Sequence, residues 1–200
     1  MSAAPVPGRC PTCLLLRPRC LCAEVASVAS RTPVVLVRHA LEAGKVSGTG
    51  ALAVRGLAGS RLVTFGGREP LDESALRPPG AVLLYPEGPA RPRPQAAPAA
   101  LVVLDGTWHQ ARRMRQRIAA LRGMPVWSLP PAPAPPLRLR RARAAGELPT
   151  IESIAWALEL LDEPGPADHL RRLHRLLADR CALTGVRARA ASRDRVRAAR

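Results

Sequence analysis

The sequence predicts an α/β fold in which helices cover both faces of a mainly parallel sheet. Short apolar runs rich in Val, Leu and Ile recur along the chain, and each suits a strand that is buried on both faces. Segments with helix potential lie between and after these runs. Because alternating strands and helices form parallel sheets, this order is typical of an α/β domain.

The predicted elements follow one another simply along the chain. Strands are predicted at Val34–Val37, Arg61–Phe65, Ala81–Tyr85, Leu101–Asp105 and Pro125–Leu129. Helices are predicted at Thr107–Leu121 and Thr150–Leu161, and residues 47–50 are predicted to turn into a further helix. After Asp168 we expect an amphipathic helix, because leucines occupy one face and arginines the other. Its apolar face holds Leu170, Leu173, Leu176 and Leu177, and its basic face holds Arg171, Arg172 and Arg175.

Two proline-rich stretches, residues 86–98 and 130–146, are predicted to be long loops. Proline lacks a backbone donor and blocks helix continuation, so neither stretch suits the interior of a helix or strand. Long loops in compact domains are often functional. We therefore divide the chain into a cysteine-bearing segment at residues 1–25, a main domain at residues 26–182 and a basic, flexible tail at residues 183–200.

The formal net charge of the 200-residue chain is +16, and arginine supplies almost all of it because Lys45 is the only lysine. Between Asp105 and Glu147 there is no acidic residue, whereas nine arginines fall in that stretch. Such one-sided charge indicates a polyanionic partner, bound through its phosphates. The alternative is a solvated face produced by a coding bias toward arginine. One Tyr, one Phe and three Trp are too few for a base-stacking platform.

Several protein classes are disfavoured. No run approaches the roughly 18 apolar residues of a membrane helix, and the N-terminus shows no apolar stretch before a small-residue cleavage site. A G-x-x-x-x-G-K-[ST] loop is also absent, which argues against a P-loop nucleotide hydrolase. We expect a cytoplasmic protein with no membrane partner and no obligate protein partner.

Four cysteines lie close together as Cys10-Pro-Thr-Cys13 and Cys20-Leu-Cys22, and we call residues 10–22 the cysteine knuckle. Two close pairs of thiolates suit tetrahedral coordination, so we predict a structural zinc held by these four residues. An iron–sulfur cluster also uses four cysteines, although a C-x-C pair is less typical of it. Incidental cysteines are the remaining alternative. Cys181 stands alone in a predicted helix and is expected in the core.

The most informative segment joins an apolar strand to a helix through Asp105-Gly106-Thr107-Trp108. Thr107, followed three residues later by Gln110, forms a capping-box pattern. Asp105 is thereby placed at the carboxyl end of a strand, where open α/β sheets bind their ligands. The alternative is that Asp105 only caps the following helix.

This segment resembles the signature of the DTW-domain family, the tRNA-uridine aminocarboxypropyltransferases. Four more motifs occur in the family's order. The cysteine knuckle resembles its zinc knuckle, residues 38–50 resemble its RHxxE…TNTG segment, Leu84-Tyr85-Pro86 resembles the motif after its middle strand, and residues 148–153 resemble its STxEA motif. The match runs from Cys10 to about Leu177. The chain departs from the family pattern at Gly48, Pro149 and Ser153.

The resemblance implies a SPOUT-like α/β domain with a C-terminal trefoil knot. It also implies S-adenosylmethionine as co-substrate, tRNA as partner, and transfer of the aminocarboxypropyl group to a uridine. In the helix that begins at Thr150, free N–H groups would bind a carboxylate or ribose oxygen, although Glu152 is also explained by the helix dipole alone. The cofactor-binding residues implied are Tyr85, Pro86, Gly106, Thr107, Trp108, Thr150, Ile151 and Glu152.

Asp105 is the candidate general base, because uridine N3 must lose its proton before it attacks a carbon of the co-substrate. His39 has a structural alternative, as an isolated histidine after a strand often does. The expected substrate-binding residues are Arg38, His39, Lys45, Ser47, Thr49, Arg112 and Arg113. Two other functions are kept open: a SPOUT-like RNA methyltransferase, and a noncatalytic zinc-knuckle protein that binds RNA.

Overall fold

The computed structural model describes residues 7–76, 78–87, 90, 92–94, 96–132, 137–139, 147–182 and 189–190. Its centre is a five-stranded, wholly parallel sheet with the strand order β2-β1-β4-β3-β5. The strands are β1 (Val34–His39), β2 (Arg61–Phe65), β3 (Ala81–Leu84), β4 (Ala100–Asp105) and β5 (Val126–Trp127). The predicted parallel sheet is confirmed, and each predicted strand overlaps an observed one.

Four α-helices accompany the sheet in the described part of the chain: α1 (Gly50–Gly56), α2 (Trp108–Arg117), α3 (Thr150–Leu160) and α4 (Pro164–Ala182). The predicted helix Thr107–Leu121 ends earlier than expected, because Ile118 adopts extended backbone and a 3-10 helix follows at Ala119–Leu121. Within that 3-10 helix the Ala120 N–H donates to the Glu73 carboxylate, at 2.5 Å, instead of to a helical carbonyl. A contact distant in sequence therefore ends α2.

Both faces of the sheet are covered, which explains why the strands are continuously apolar. Along β1, Val34 and Leu36 face a cluster that includes residues of α1, α3 and α4, whereas Val35 and Val37 face a cluster that includes residues of α2. Burying one such side chain contributes about 1.5–3 kcal/mol. The predicted arrangement of helices on both faces is confirmed.

A second, two-stranded sheet pairs β6 (Leu137–Arg138) antiparallel with β7 (Arg189–Ala190). The prediction that no strand occurs within residues 130–146 is therefore wrong at Leu137–Arg138. These residues follow the last proline of the stretch, so their backbone N–H groups are available for pairing. β7 lies in the segment predicted to be a tail, and the rest of residues 183–200 fall outside the described part. No described helix is long and apolar enough to cross a membrane.

Candidate active site and cysteine centre

Asp105 is the last residue of β4, the central strand of the sheet. On the adjacent strand β1, the residue paired with Asp105 is Arg38, at the same end of the sheet. The Asp105 side chain is buried, and its Oδ1 accepts a hydrogen bond from the Thr150 hydroxyl at 2.8 Å. Gly50, the first residue of α1, packs so closely that a Cβ there would lie 2.9 Å from Asp105 Cγ. The sheet, α1 and α3 thus fix this carboxylate together.

The start of α3 is tied to three other parts of the fold by three consecutive residues. Besides the Thr150 contact with β4, the Ile151 N–H donates to Thr49 Oγ1 at 3.3 Å. Next, Glu152 Oε1 lies 2.6 Å from His174 Nδ1 of α4, and both side chains are buried. Leaving such a buried carboxylate without its partner is costly, so the pair holds α3 against α4.

Three backbone donors at this helix start are already used. The N–H groups of Glu152 and Ser153 both donate to the Pro149 carbonyl, at 2.9 Å and 3.0 Å. Ile151 donates to Thr49, as described above. The expectation of free N–H groups that bind a co-substrate carboxylate or ribose is therefore wrong for Ile151, Glu152 and Ser153.

The Asp105–Trp108 turn has the predicted local geometry. Thr107 Oγ1 accepts from the Gln110 N–H at 3.3 Å, and the Gln110 side chain accepts from the Thr107 N–H at 2.7 Å. This confirms the capping box that begins α2. Trp108 is 45% exposed, and Tyr85, just after β3, meets its ring edge-to-face with centroids 6.4 Å apart. The two aromatic rings form an open wall at the carboxyl ends of β3 and β4, where Tyr85 packs against the apolar cluster on the α2 face of the sheet.

The four cysteines converge as predicted. The Sγ atoms of Cys10 and Cys22 are 3.7 Å apart, as are those of Cys13 and Cys20, and all four lie within 4.8 Å of one another. Sulfurs bound tetrahedrally at about 2.3 Å from zinc are about 3.8 Å apart, so the donor set fits this ion. Leu15 and Leu21 within the knuckle are buried in the core, which anchors the centre to the domain.

The thiols of this centre differ in their surroundings. Backbone N–H groups of Cys13 and Thr12 lower the pKa of Cys10 to about 6, because they stabilise its thiolate. Burial raises the pKa of Cys22 to about 12, and the positive charge of Arg55 on α1 opposes that shift. Cys181 lies in the core as expected, and burial raises the pKa of its thiol.

A cavity of about 1010 Å³ opens between the cysteine knuckle and the carboxyl ends of β1 and β2. Its walls come from residues 9–14, α1, the segment that follows β1 and the loop that follows β2. Asp105, Arg38 and Lys45 line it as well. None of the residues implied for co-substrate binding is among the described residues of its lining. Asp105 therefore faces the cavity on the β1 side, whereas the aromatic pair at the ends of β3 and β4 does not line it.

A protein-family model of the DTW domain matches residues 8–182, which is most of the chain. The chain belongs to the DTW domain family. DTW domains are associated with tRNA modification enzymes, so a tRNA-related function follows from membership. No solved structure matches the chain.

In this DTW-domain protein the predicted substrate-binding residues separate into four groups. Arg38 and Lys45 line the cavity, where Lys45 Nζ lies 2.5 Å from the buried carboxylate of Glu42. His39 Nδ1 instead accepts from the Leu41 N–H at 3.2 Å and caps the 3-10 helix Ala40–Glu42, which favours its structural alternative. Ser47 and Thr49 precede α1, and Thr49 is buried against α3. Arg112 and Arg113 are exposed on α2 and are not among the described residues that line the cavity.

Three residues of the DTW domain were not singled out by their sequence pattern. Gly50 approaches Asp105, Arg55 lines the cavity, and His174 pairs with Glu152. A signal did exist for His174, because it lies four residues after Leu170 and therefore shares the apolar face of α4. Gly50 ends the segment of residues 38–50 that resembles the family motif, although its approach to Asp105 was not predicted, and nothing in the local sequence marks Arg55.

Proposed function

We propose that this protein transfers the 3-amino-3-carboxypropyl group of S-adenosylmethionine to N3 of a uridine in tRNA and releases methylthioadenosine. The observation that carries the proposal is the placement of Asp105. A buried carboxylate ends the central strand of a DTW domain, is held by Thr150, and lines a large cavity.

The chemistry needs a base and alignment. Asp105 accepts the proton from uridine N3, and the N3 electron pair then forms a bond to the terminal side-chain carbon of the aminocarboxypropyl arm. The bond from that carbon to sulfur breaks, and its electron pair returns to sulfur, which leaves neutral methylthioadenosine. A positioned general base contributes typically about 10²–10⁴-fold in rate. Holding the reactants in line supplies much of the remaining acceleration.

The co-substrate is assigned to the β3 side of Asp105. Tyr85 and Trp108 form a wall there, Pro86 follows the same strand, and Gly106 and Thr107 form the turn after β4. We assign the start of α3, Thr150–Glu152, to the same site, because the Thr150 hydroxyl donates to Asp105. Because Glu152 is bound to His174, we assign it to holding α3 in place.

The cysteine knuckle is assigned a structural zinc. Its four thiolates would fill every position of a tetrahedral ion, which leaves none for a reacting group. When bound, the ion supplies the cross-links that keep the two halves of the knuckle together.

A trefoil knot and a SPOUT-like fold belong to the same proposal. The insertion of β4 between β1 and β3 in a parallel sheet, with α3 returning to contact the end of β4, is compatible with such a path. Residues 133–136 and 140–146, through which the chain reaches α3, lie outside the described part. We further propose a cytoplasmic enzyme that acts on tRNA without an obligate protein partner.

Incubation of the purified protein with S-adenosylmethionine and unmodified tRNA tests the reaction, with nucleosides and small products read by mass spectrometry. The proposal predicts a uridine heavier by one aminocarboxypropyl group, together with released methylthioadenosine. A methylated nucleoside with S-adenosylhomocysteine would refute the proposed transfer in favour of a methyltransferase. Binding of tRNA with neither co-substrate affinity nor product would favour the noncatalytic RNA-binding protein.

A further inference from the structure

We infer that the cavity between the cysteine knuckle and the sheet is where the target nucleotide of the RNA binds, and that Arg55 contacts a phosphate beside it. The inference rests on the proposed function, because it takes Asp105 as the base that both reactants must reach. It gives the RNA a location and names Arg55 as the residue that binds a phosphate. It also gives the cysteine knuckle a second role as a wall of the substrate site.

The first step is the division of space around Asp105. Asp105 lines the cavity on the β1 side, and none of the residues proposed for co-substrate binding at the ends of β3 and β4 and the start of α3 is among the described residues of that lining. A displacement at carbon needs the nucleophile and the leaving group on opposite sides of that carbon. If the co-substrate occupies the β3 side, the nucleotide approaches from the β1 side, where the cavity is the open volume.

The second step is size. Pockets that enclose a drug-sized ligand measure roughly 300–1,000 Å³. The cavity, at about 1010 Å³, is at the upper end of that range. It has room for a nucleoside turned out of its stack together with flanking phosphates. Enzymes that modify a base commonly take it out of the stack in this way.

The third step is charge. Five basic side chains line the cavity, and of its carboxylates Glu42 is paired with Lys45 while Asp72 accepts from the N–H and hydroxyl of Ser74. Glu69 is the other acidic residue of the lining besides Asp105. Arg55 is half-buried and lines the cavity from α1. A guanidinium so placed suits a phosphate, which it binds through two parallel hydrogen bonds. The basic side chains are Arg9, Arg38, Lys45, Arg55 and Arg68.

The fourth step concerns the cysteine knuckle. Residues 9–14, which include the metal ligands Cys10 and Cys13, form one wall of the cavity, and Arg55 lines the same cavity. Metal binding therefore shapes the RNA site in addition to stabilising the domain. The aromatic wall on the β3 side is separate from it, so co-substrate affinity depends far less on the knuckle.

The test uses the full-length, metal-loaded protein and an unmodified tRNA transcript, with binding measured at several salt concentrations. Arg55→Ala is expected to weaken tRNA binding about tenfold near 150 mM salt and to reduce the slope of log affinity against log salt by about one. The matched control is Arg175→Ala, which removes an exposed helix arginine outside the cavity lining and is expected to change affinity less than about twofold. Metal content and S-adenosylmethionine affinity are measured on both variants to confirm that they are folded.

A second variant changes the shape of the cavity without changing its charge. Ala51 lines the cavity from α1, and Ala51→Trp would fill it. The expected result is a loss of transfer and of tight tRNA binding while S-adenosylmethionine affinity is retained. Wild-type tRNA affinity in Arg55→Ala with an unchanged salt slope, or wild-type transfer in Ala51→Trp, would overturn the inference. These outcomes are separate from failure of the proposed function, because an RNA that binds in the cavity but yields another product refutes only the reaction.

Discussion

Replacing Gly50 with alanine tests whether the position of Asp105 controls the reaction. The new Cβ would lie 2.8 Å from Leu36 Cδ2, 2.9 Å from Asp105 Cγ and 3.0 Å from Asp105 Oδ2. Carbon atoms pack best about 3.5–4.0 Å apart, so the 2.9 Å contact with Asp105 Cγ must open by about 0.6 Å. Leu36 is fully buried in β1, and the Asp105 carboxylate must therefore take up part of this displacement.

The displacement of the Asp105 carboxylate determines the expected loss of activity. A misplacement of about 1 Å in a catalytic arrangement costs on the order of 10²-fold in rate, so a shift of about 0.6 Å should lower the transfer rate on the order of tenfold. The fold should survive, because overpacking costs typically about 1–3 kcal/mol and alanine recovers up to about 1 kcal/mol over glycine in a helix. Single-turnover transfer with saturating S-adenosylmethionine measures the first effect, and urea unfolding measures the second.

Gly56→Ala is the matched control at the other end of α1. There the new Cβ would lie 2.6 Å from Leu173 Cδ1 of α4, so the overpacking is at least as severe. No Asp105 atom is among its nearest contacts. We expect a similar loss of stability with transfer reduced less than about threefold. Equal losses of transfer in both variants, or a fully active Gly50→Ala, would refute the claim that Gly50 sets the position of Asp105.

Three further predictions concern the supports of the site. Thr150→Val removes the donor to Asp105 Oδ1 and should lower the transfer rate at least about tenfold, whereas Thr150→Ser should retain most of it; retained activity in Thr150→Val would contradict the assigned contact. His174→Ala leaves Glu152 buried without its partner and should cost about 3 kcal/mol in the free energy of unfolding; a loss below about 1 kcal/mol would show that the pair does not hold α3. The metal-loaded protein should contain about one zinc per chain by elemental analysis, and Cys13→Ser should lower the zinc affinity and the melting temperature; full zinc content in that variant would argue against the four-sulfur centre.

Much of the fold was accessible from the sequence because a parallel sheet leaves a strong local signal. Both faces of β1 and β4 are buried, so their residues are apolar without alternation. The end of α2 left no such signal, since the Glu73 carboxylate that binds the Ala120 N–H is 47 residues away along the chain. The placement of β4 between β1 and β3 likewise depends on packing and not on local sequence.

The candidate site could be predicted from the sequence to the same degree as the fold. Asp105 at a strand end, the Thr107–Gln110 capping box and the convergence of four cysteines each depend on residues close in sequence, and all three are observed. The contact of Thr150 with Asp105 joins residues 45 apart, and that of Glu152 with His174 joins residues 22 apart. Such contacts exist only once α3 and α4 are packed. For the same reason, the sequence did not reveal that the N–H groups of Ile151, Glu152 and Ser153 already donate to Thr49 and Pro149.

The central claim is that Asp105 is the general base, and replacing it tests this most directly. Asp105→Asn keeps the shape of the side chain and its contact with Thr150 but cannot accept the uridine proton in the same way. Single-turnover transfer to tRNA is compared with S-adenosylmethionine and tRNA affinities for this variant, Asp105→Ala and the wild-type protein. We expect transfer to fall at least about 10²–10⁴-fold in both variants, while S-adenosylmethionine and tRNA still bind. Transfer within about tenfold of wild type in Asp105→Asn would contradict the catalytic role of Asp105.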